Sequence, residues 1–335
     1  MRRGNAPSVA VQRSSFRNAT APTNSQLDVS IVIPTYGRPE QLRSCLGAIQ
    51  SLAYPQHRME VIVVDDGGPG RLEEIIVDFS GTMPTRLVRQ SNGGPGKARN
   101  LGASIARGDF LVFIDDDCRP STEWLQALMS QLREDPDCLA GGPVLNDLNG
   151  NPYSRASQLI STFVADHYAS GRGREWFFTT NNFALSANRF AELGGFDTSI
   201  PSATAEDKEF CHRWRQRGYR MRWVTSAVVY HAHVLSLRGF LKQHYEYGKG
   251  IVFFRLRLRP GYDGHLIPEA FSFYLQLVFH PLRQRGSSSR IGSVSLLVLS
   301  QIATAAGAAV SSIREIGRGS GRRVAVLENP PRTEG

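Results

Sequence analysis

Gly108-Asp109-Phe110-Leu111-Val112-Phe113-Ile114-Asp115-Asp116-Asp117 constrains this chain more than any other stretch, because five consecutive apolar residues run straight into three carboxylates. The apolar run, with two Phe and a Val, reads as a buried strand. Three adjacent acids repel one another and fit badly inside a core, so the strand must end at an opening, where they face a cation or a polyhydroxyl ligand. In open α/β sheets that strand edge is where ligands bind. Taken alone the stretch also suits a plain acidic turn, so its meaning depends on what surrounds it.

The surroundings alternate strand and helix. Val29-Ser30-Ile31-Val32-Ile33 is a β-branched run halted by Pro34, and it feeds the loop Thr35-Tyr36-Gly37-Arg38-Pro39. Leu42, Cys45, Leu46, Ile49 and Leu52 recur at helical spacing, so a helix packs back on the sheet before Tyr54-Pro55. Glu60-Val61-Ile62-Val63-Val64 is a second strand that again ends in acid, Asp65-Asp66, and then in a glycine-rich loop. Leu72, Ile75, Ile76 and Phe79 form another helical stripe, and Thr85-Arg86-Leu87-Val88 a third strand, which gives βαβαβ.

Asn92-Gly93-Gly94-Pro95-Gly96-Lys97-Ala98-Arg99 fits neither standard phosphate loop, since Ala98 follows the Lys and Arg99 stands where a final Gly belongs. With Lys97 and Arg99 at the start of a helix over Ala98 to Ala106, it suits either a diphosphate site or a plain helix start. Beyond the acids, a helix from Thr122 to Arg133 is capped by Ser121 or Thr122, Cys138 to Val144 reads as one strand, and Ala156 to Ala169 as a helix. Asn181-Asn182, flanked by aromatics, suits a hydroxyl-binding loop or a hydrogen-bonded turn. A helix begins at Glu206-Asp207, where the acids also suit plain capping of the dipole, and strands at Met221-Val224 and Ala227-His231 bring His231 or His233 near the same mouth, as a ligand or as a structural residue.

Together these pieces resemble the family 2 glycosyltransferases. Ile31-Val32-Ile33-Pro34-Thr35-Tyr36, Val63-Val64-Asp65-Asp66-Gly67, Ala98-Arg99-Asn100-Leu101-Gly102, Phe113 to Asp117, Gly194-Gly195-Phe196-Asp197 and Glu206-Asp207 occur in the family's order, covering Asp28 to His233. The resemblance implies a GT-A fold: a Rossmann-like, mixed, mostly parallel sheet flanked by helices, here with a C-terminal helical appendage. It implies that Pro34, Thr35, Tyr36 and Arg38 help hold the nucleotide donor, with Asp66 accepting the base N3–H; Lys97 and Arg99 join the donor set from the reading of their own loop. Asp115-Asp116-Asp117 matches the DxD motif, in which Asp115 and Asp116 serve ribose, sugar or a metal water. Asp117 is the first metal ligand, with Asp115 and His231 completing a site for Mg2+ or Mn2+. Asp207 matches the catalytic base, beside Glu206, and Asn181 and Asn182 are assigned to the acceptor.

The implied function is inverting, metal-dependent transfer of one sugar from a nucleotide-diphospho-sugar, uridine-linked in most of the family, to a glycan, lipid-linked or small-molecule hydroxyl, as in polysaccharide or glycolipid biosynthesis. Processive relatives carry Gln-x-x-Arg-Trp after the acidic pair; Cys211-His212-Arg213-Trp214 keeps only Arg-Trp, which favours single transfer. The alternatives are a nucleotidyltransferase of related fold, against which the loop after the first strand counts, and a basic nucleic-acid or lipid-binding module. For the last, 39 basic against 30 acidic residues supply the charge, but they are scattered without a nucleic-acid motif.

Four scattered cysteines suit a reducing compartment, and the expected location is cytoplasmic, at the inner face of the cell membrane. Residues 1–27 read as a basic disordered tail without a signal peptide, 28–235 as the catalytic domain, 236–313 as a helical, membrane-associated region and 314–335 as a disordered tail. Within the helical region, Ile251 to Arg259 pairs aromatics with arginines, suiting an anionic lipid surface or a helix packed on the domain. Ile291 to Ile313 is uncharged and long enough to span a bilayer, though Ser, Gln, Thr and Gly make it a marginal candidate.

Overall fold

The central strand of the protein, β1 (Val29–Thr35), has every residue buried, as a strand covered on both faces requires. In this computed structural model, residues 27–169, 177–199, 205–257, 270–283 and 290–327 are described, the side chains of 168, 169, 255–257, 283, 290 and 315–327 apart. Of the tails expected at 1–27 and 314–335, residues 1–26 and 328–335 lie outside them. From β1 the chain passes through α1 (Pro39–Gln50), β2 (Met59–Asp65), α2 (Glu73–Ser80) and β3 (Thr85–Arg89) along one side of the sheet. It then returns through α3 (Pro95–Ser104) to place β4 (Phe110–Phe113) on the other side of β1.

Next come β5 (Cys118–Pro120), α4 (Trp124–Glu134), β6 (Leu139–Gly141), β7 (Val144–Asn146), α5 (Pro152–Ala169), β8 (Phe183–Ser186), α6 (Ala187–Leu193) and α7 (Glu206–Gln216). The remainder is β9 (Met221–Trp223), β10 (Val229–His231), α8 (Leu237–Arg257), α9 (Phe271–Arg283) and α10 (Arg290–Leu327). Seven strands form one sheet in the order β3-β2-β1-β4-β8-β6-β9, and β5-β10-β7 form a small second sheet. Pairings β2–β3, β1–β2, β1–β4 and β6–β9 are parallel, while β4–β8 and β6–β8 are antiparallel, so the sheet is mixed and mostly parallel.

Period-two alternation divides the core. Ile31, Ile33 and Val112 point to a cluster under α1, α2 and α4, whereas Val32, Leu111 and Phe113 point to an aromatic cluster with Phe183, Phe196, Phe210 and Trp214. On that second face α3 lies close: a Cβ on Gly102 would stand 2.4 Å from Val32 Cγ1. Because β1 has β2 on one side and β4 on the other, the carboxyl ends of all three strands open at a topological switch point.

Several boundaries differ from the sequence reading. β1 continues through Pro34 to Thr35; the ladder to β4 ends at Val32 opposite Phe113, so the proline lies past the last β4 pairing. Helix α4 starts at Trp124 with no side-chain cap from Ser121 or Thr122. Cys138 to Val144 is two strands in two sheets, because Gly142-Pro143 turns the chain between them. Helix α5 begins four residues early, at Pro152, which tolerates the first turn. Helix α10 runs through Leu327, so Arg314 is no helix end and the tail expected from 314 is helical for most of its length.

Candidate active site

The site is assembled where β1, β2 and β4 end. Thr35, the last residue of β1, donates its hydroxyl to Asp116 Oδ2 at 2.6 Å, and its carbonyl accepts the Asp66 N–H at 2.9 Å. Arg38, at the start of α1, forms ion pairs with Asp116 Oδ1 (2.7 Å) and Asp117 Oδ2 (2.8 Å). Burial pushes Asp116 up to about 7, against the pull of Arg38 and the Thr35 hydroxyl. Pro34 is buried in the strand, while Tyr36 projects half-exposed from the loop.

Asp66, expected at the base of a nucleoside, is held in place by the glycine loop. Its oxygens accept the backbone N–H groups of Gly93 and Gly94, each at 2.8 Å, and the Gln90 amide at 2.7 Å. Lys97 is exposed at the head of α3 and lies across Gly93, where a Cβ would sit 2.4 Å from its Cδ. Asn100, one turn on, clips the Gly194-Gly195 turn by exchanging hydrogen bonds with the Phe196 backbone at 2.8 and 2.9 Å.

Arg99 departs from the expected diphosphate role. It is buried, and its two terminal nitrogens reach Asp115 Oδ1 at 2.6 Å and Glu206 Oε1 at 2.9 Å. One guanidinium therefore ties the acids after β4 to the acids at the head of α7, and points at carboxylates rather than into open space. Burial raises Glu206 to about 7, with Arg99 opposing. Asp207, next along α7, accepts the Lys208 N–H at 2.7 Å, and burial raises it above the ordinary carboxylate value despite the lysine nearby. Tyr247 of α8 stands near this side, 39% exposed. It accepts a 2.7 Å hydrogen bond from Gln243, and its phenol is raised by desolvation where it meets the protein, with the charges of Asp207 and Asp115 adding to the rise. Nothing in the sequence marked Tyr247, which sits in an ordinary helical repeat.

Asp117 faces the small second sheet. His231 Nε2 lies 3.2 Å from its Oδ1, and these atoms with Cys118 Sγ lie within 4.8 Å of one another. Burial works against ionisation of Asp117, but the His231 hydrogen bond and charge, then Arg38, outweigh it and hold the carboxyl well below its usual range. His231 is correspondingly raised: burial opposes, and Asp117 prevails. Burial lifts the Cys118 thiol well above its ordinary value, so the available donors are a carboxylate and an imidazole, which suit Mn2+ or Mg2+ better than a thiolate-bound metal. Asp115, expected among the ligands, is instead turned to Arg99.

Asn182 corrects the acceptor assignment. It is buried, takes the Trp124 indole N–H at 2.8 Å, and donates to the Pro143 and Ala227 carbonyls at 3.0 and 2.8 Å, so its amide joins α4 to the turns beside β7 and β10. Asn181 accepts only the Thr179 hydroxyl, at 2.7 Å, and its N–H2 has no partner among the described residues.

The model for glycosyl transferase family 2 matches residues 30–196, which take in the acids after β4 and end just before Glu206. A glycosyltransferase, AglE, of Haloferax volcanii is 27% identical over 225 residues, 66% of this chain and 72% of that protein. A pre-mycofactocin glycosyltransferase of Mycobacterium tuberculosis is 28% identical over 235 residues, 67% of this chain but 47% of its own length. Among solved structures, a mannosyltransferase from Pyrobaculum calidifontis in complex with GDP-Man and Mn2+ superimposes with a TM-score of 0.54 at 18% identity, over 91% of this chain and 84% of that one. That last likeness concerns the fold, which is GT-A.

Proposed function

Because the chain belongs to glycosyl transferase family 2 and is a glycosyltransferase, we propose that it moves one sugar from a uridine-linked diphosphate donor to an acceptor hydroxyl, with inversion, at an anionic membrane surface. The observation that carries this reading is the Arg99 bridge, which joins Asp115 to Glu206 from segments far apart in the chain. It holds the acids after β4 and the Glu206-Asp207 end of α7 within the span of one guanidinium, which supports displacement at an anomeric carbon beside them.

The acceptor oxygen attacks the anomeric carbon as the bond from that carbon to the diphosphate oxygen breaks, and the hydroxyl proton passes to Asp207. A carboxylate raised by burial is a better base than one at its ordinary value, and a positioned base contributes roughly 10²–10⁴-fold. Glu206 and Asp115 are held by Arg99, which fixes the head of α7 against the strand end. Tyr36 and Asp66 lie on the nucleoside side, and Lys97 offers a cation at the loop. Asp117 and His231 would hold a divalent cation, which when bound offsets the charge of the departing nucleoside diphosphate. Asn181 and Tyr247 are the groups left for the acceptor.

The test is to screen UDP-, GDP- and dTDP-sugars for Mn2+-dependent hydrolysis, and then to add acceptors to the active donor. Asp207→Asn is expected to keep donor affinity within roughly threefold while transfer falls by about 10²-fold or more. Undiminished turnover in that variant removes Asp207 from the chemistry, and donor hydrolysis indifferent to chelator removes the cation. The product's anomeric configuration, read by proton NMR, decides inversion.

A further inference from the structure

Helices α9 and α10 leave an apolar surface in solvent. On α9 the outward stripe is Phe271, Leu275, Phe279 and Leu282, with Phe271 76% exposed. On α10 it is Ile291, Val298, Ile302 and Ile313, with Ile291 82% and Ile302 60% exposed. The spacing puts each set along one helix face, and an apolar area of this extent marks an interaction surface. The chemistry around it is cationic. Arg290 and Arg314 bracket an uncharged run of α10, and Arg283 ends α9. Beside it, α8 and α10 form a groove floored by Leu241, Leu299 and Ile302, with Arg238 and Lys242 at its rim. Both cations are exposed, and neither has an ion-pair partner among the described residues.

Length and composition would let Ile291–Arg314 cross a bilayer. Its packing argues otherwise. Helices α8 and α10 meet at Gly248 and Gly307 so closely that a Cβ at either would lie 1.9 Å from a backbone oxygen of the other helix. On its inner side, Leu297 is buried with Phe240, Phe273 and Leu277. A helix held flush against α8, which carries Arg238, Lys242 and the Glu246–Lys249 pair, cannot enter the hydrocarbon without bringing those charges along.

We propose that the α9–α10 face docks on an anionic phospholipid bilayer with α10 lying in the interface plane, and that the α8–α10 groove takes one acyl chain while Arg238 and Lys242 hold the lipid phosphate. This rests on the membrane-surface part of the proposed function and gives it its elements. Tyr247 lies on the side of α8 turned away from that groove, so α8 separates the lipid from the acid cluster.

Flotation of the full chain with sealed phosphatidylcholine vesicles, with and without phosphatidylglycerol, tests it. The chain should float with anionic vesicles only. Phe271→Glu and Ile302→Glu, both at exposed positions, should each cut the bound fraction roughly tenfold, with circular dichroism and donor hydrolysis unchanged. Arg238→Glu with Lys242→Glu should erase the preference for anionic lipid, by roughly tenfold or more. Failure of the wild-type chain to float overturns the membrane reading itself. Flotation that survives both glutamate variants overturns only the assignment of this face, and a dimer dissolved by Ile302→Glu in the absence of flotation gives the face to a second copy. The four native cysteines are buried, so cysteines introduced by Ser288→Cys and Thr333→Cys can be probed with an impermeant maleimide on the vesicles. Both should react; protection of one alone means a span and overturns the in-plane placement.

Discussion

A buried guanidinium shared by two carboxylates is held there by electrostatics that a single substitution unbalances. With Arg99→Met, Asp115 and Glu206 are left facing each other uncompensated, and the expected cost is about 3–5 kcal/mol. Arg99→Lys keeps one charge but cannot reach both acids, so it should recover most of the stability and little of the transfer; thermal melting read beside turnover separates the two. A second residue acts through protonation. His244 is buried between Phe240 and Tyr247, its Nε2 has no hydrogen-bond partner among the described residues, and burial lowers it to about 4. The unfolded chain binds the proton first as pH falls, so the stability this neutral histidine permits is complete above its ordinary 6.5 and is lost toward 4, by on the order of 3 kcal/mol. Urea midpoints across that window should flatten in His244→Leu relative to the wild-type chain. The acids of the site were legible in the sequence because a hydrophobic strand ending in charge has few other uses. The role of Arg99 was not, because a basic residue at a helix start serves a phosphate or a carboxylate equally well, and only burial decides between them.

Elements add what residue types alone leave open. The turn holding Asn181 and Asn182 leads into β8, the strand that pairs antiparallel with β4, so the two asparagines sit side by side with different duties. Asn182→Ala strands the Trp124 indole N–H and takes the amide donor from the Ala227 carbonyl, while the Pro143 carbonyl keeps the Val229 N–H, with an expected loss of about 3 kcal/mol. Asn181→Ala should leave the unfolding midpoint within about 0.5 kcal/mol and raise the acceptor KM instead. Denaturant melts and acceptor titrations on the two variants give opposite patterns if this division is right. Alternation and helical stripes revealed β1, β2, β4 and the helices beside them, since burial on both faces leaves an unmistakable apolar run. Cys138 to Val144 was harder, because the run is apolar throughout and the change of sheet is made by Gly142-Pro143, which pattern alone does not distinguish from a bulge.

At the scale of the whole molecule, two cores are joined through α8: the sheet with its flanking helices, and a smaller one in which Ala156 and Leu235 pack with Phe240, Phe273, Leu277 and Leu297. The second core depends on how closely α10 can approach α8, and that approach is set by Gly248 and Gly307, where backbone meets backbone. A larger residue cannot be absorbed by rotamer change, because the atom it meets is a carbonyl oxygen of the neighbouring helix. Gly307→Leu should therefore push the helices apart and destabilise the smaller core by about 1–3 kcal/mol, while the acids that follow β4 and the Arg99 bridge from α3 to Asp115 and Glu206 stay as they are. Hydrogen exchange is the discriminating measurement: amides of α9 and α10 should lose protection, those of β1, β2 and β4 should keep it, and donor hydrolysis should persist. Loss of protection throughout the sheet would mean that the two cores fold as one cooperative unit, with α8 as a beam of the catalytic domain rather than the joint between it and the C-terminal helices.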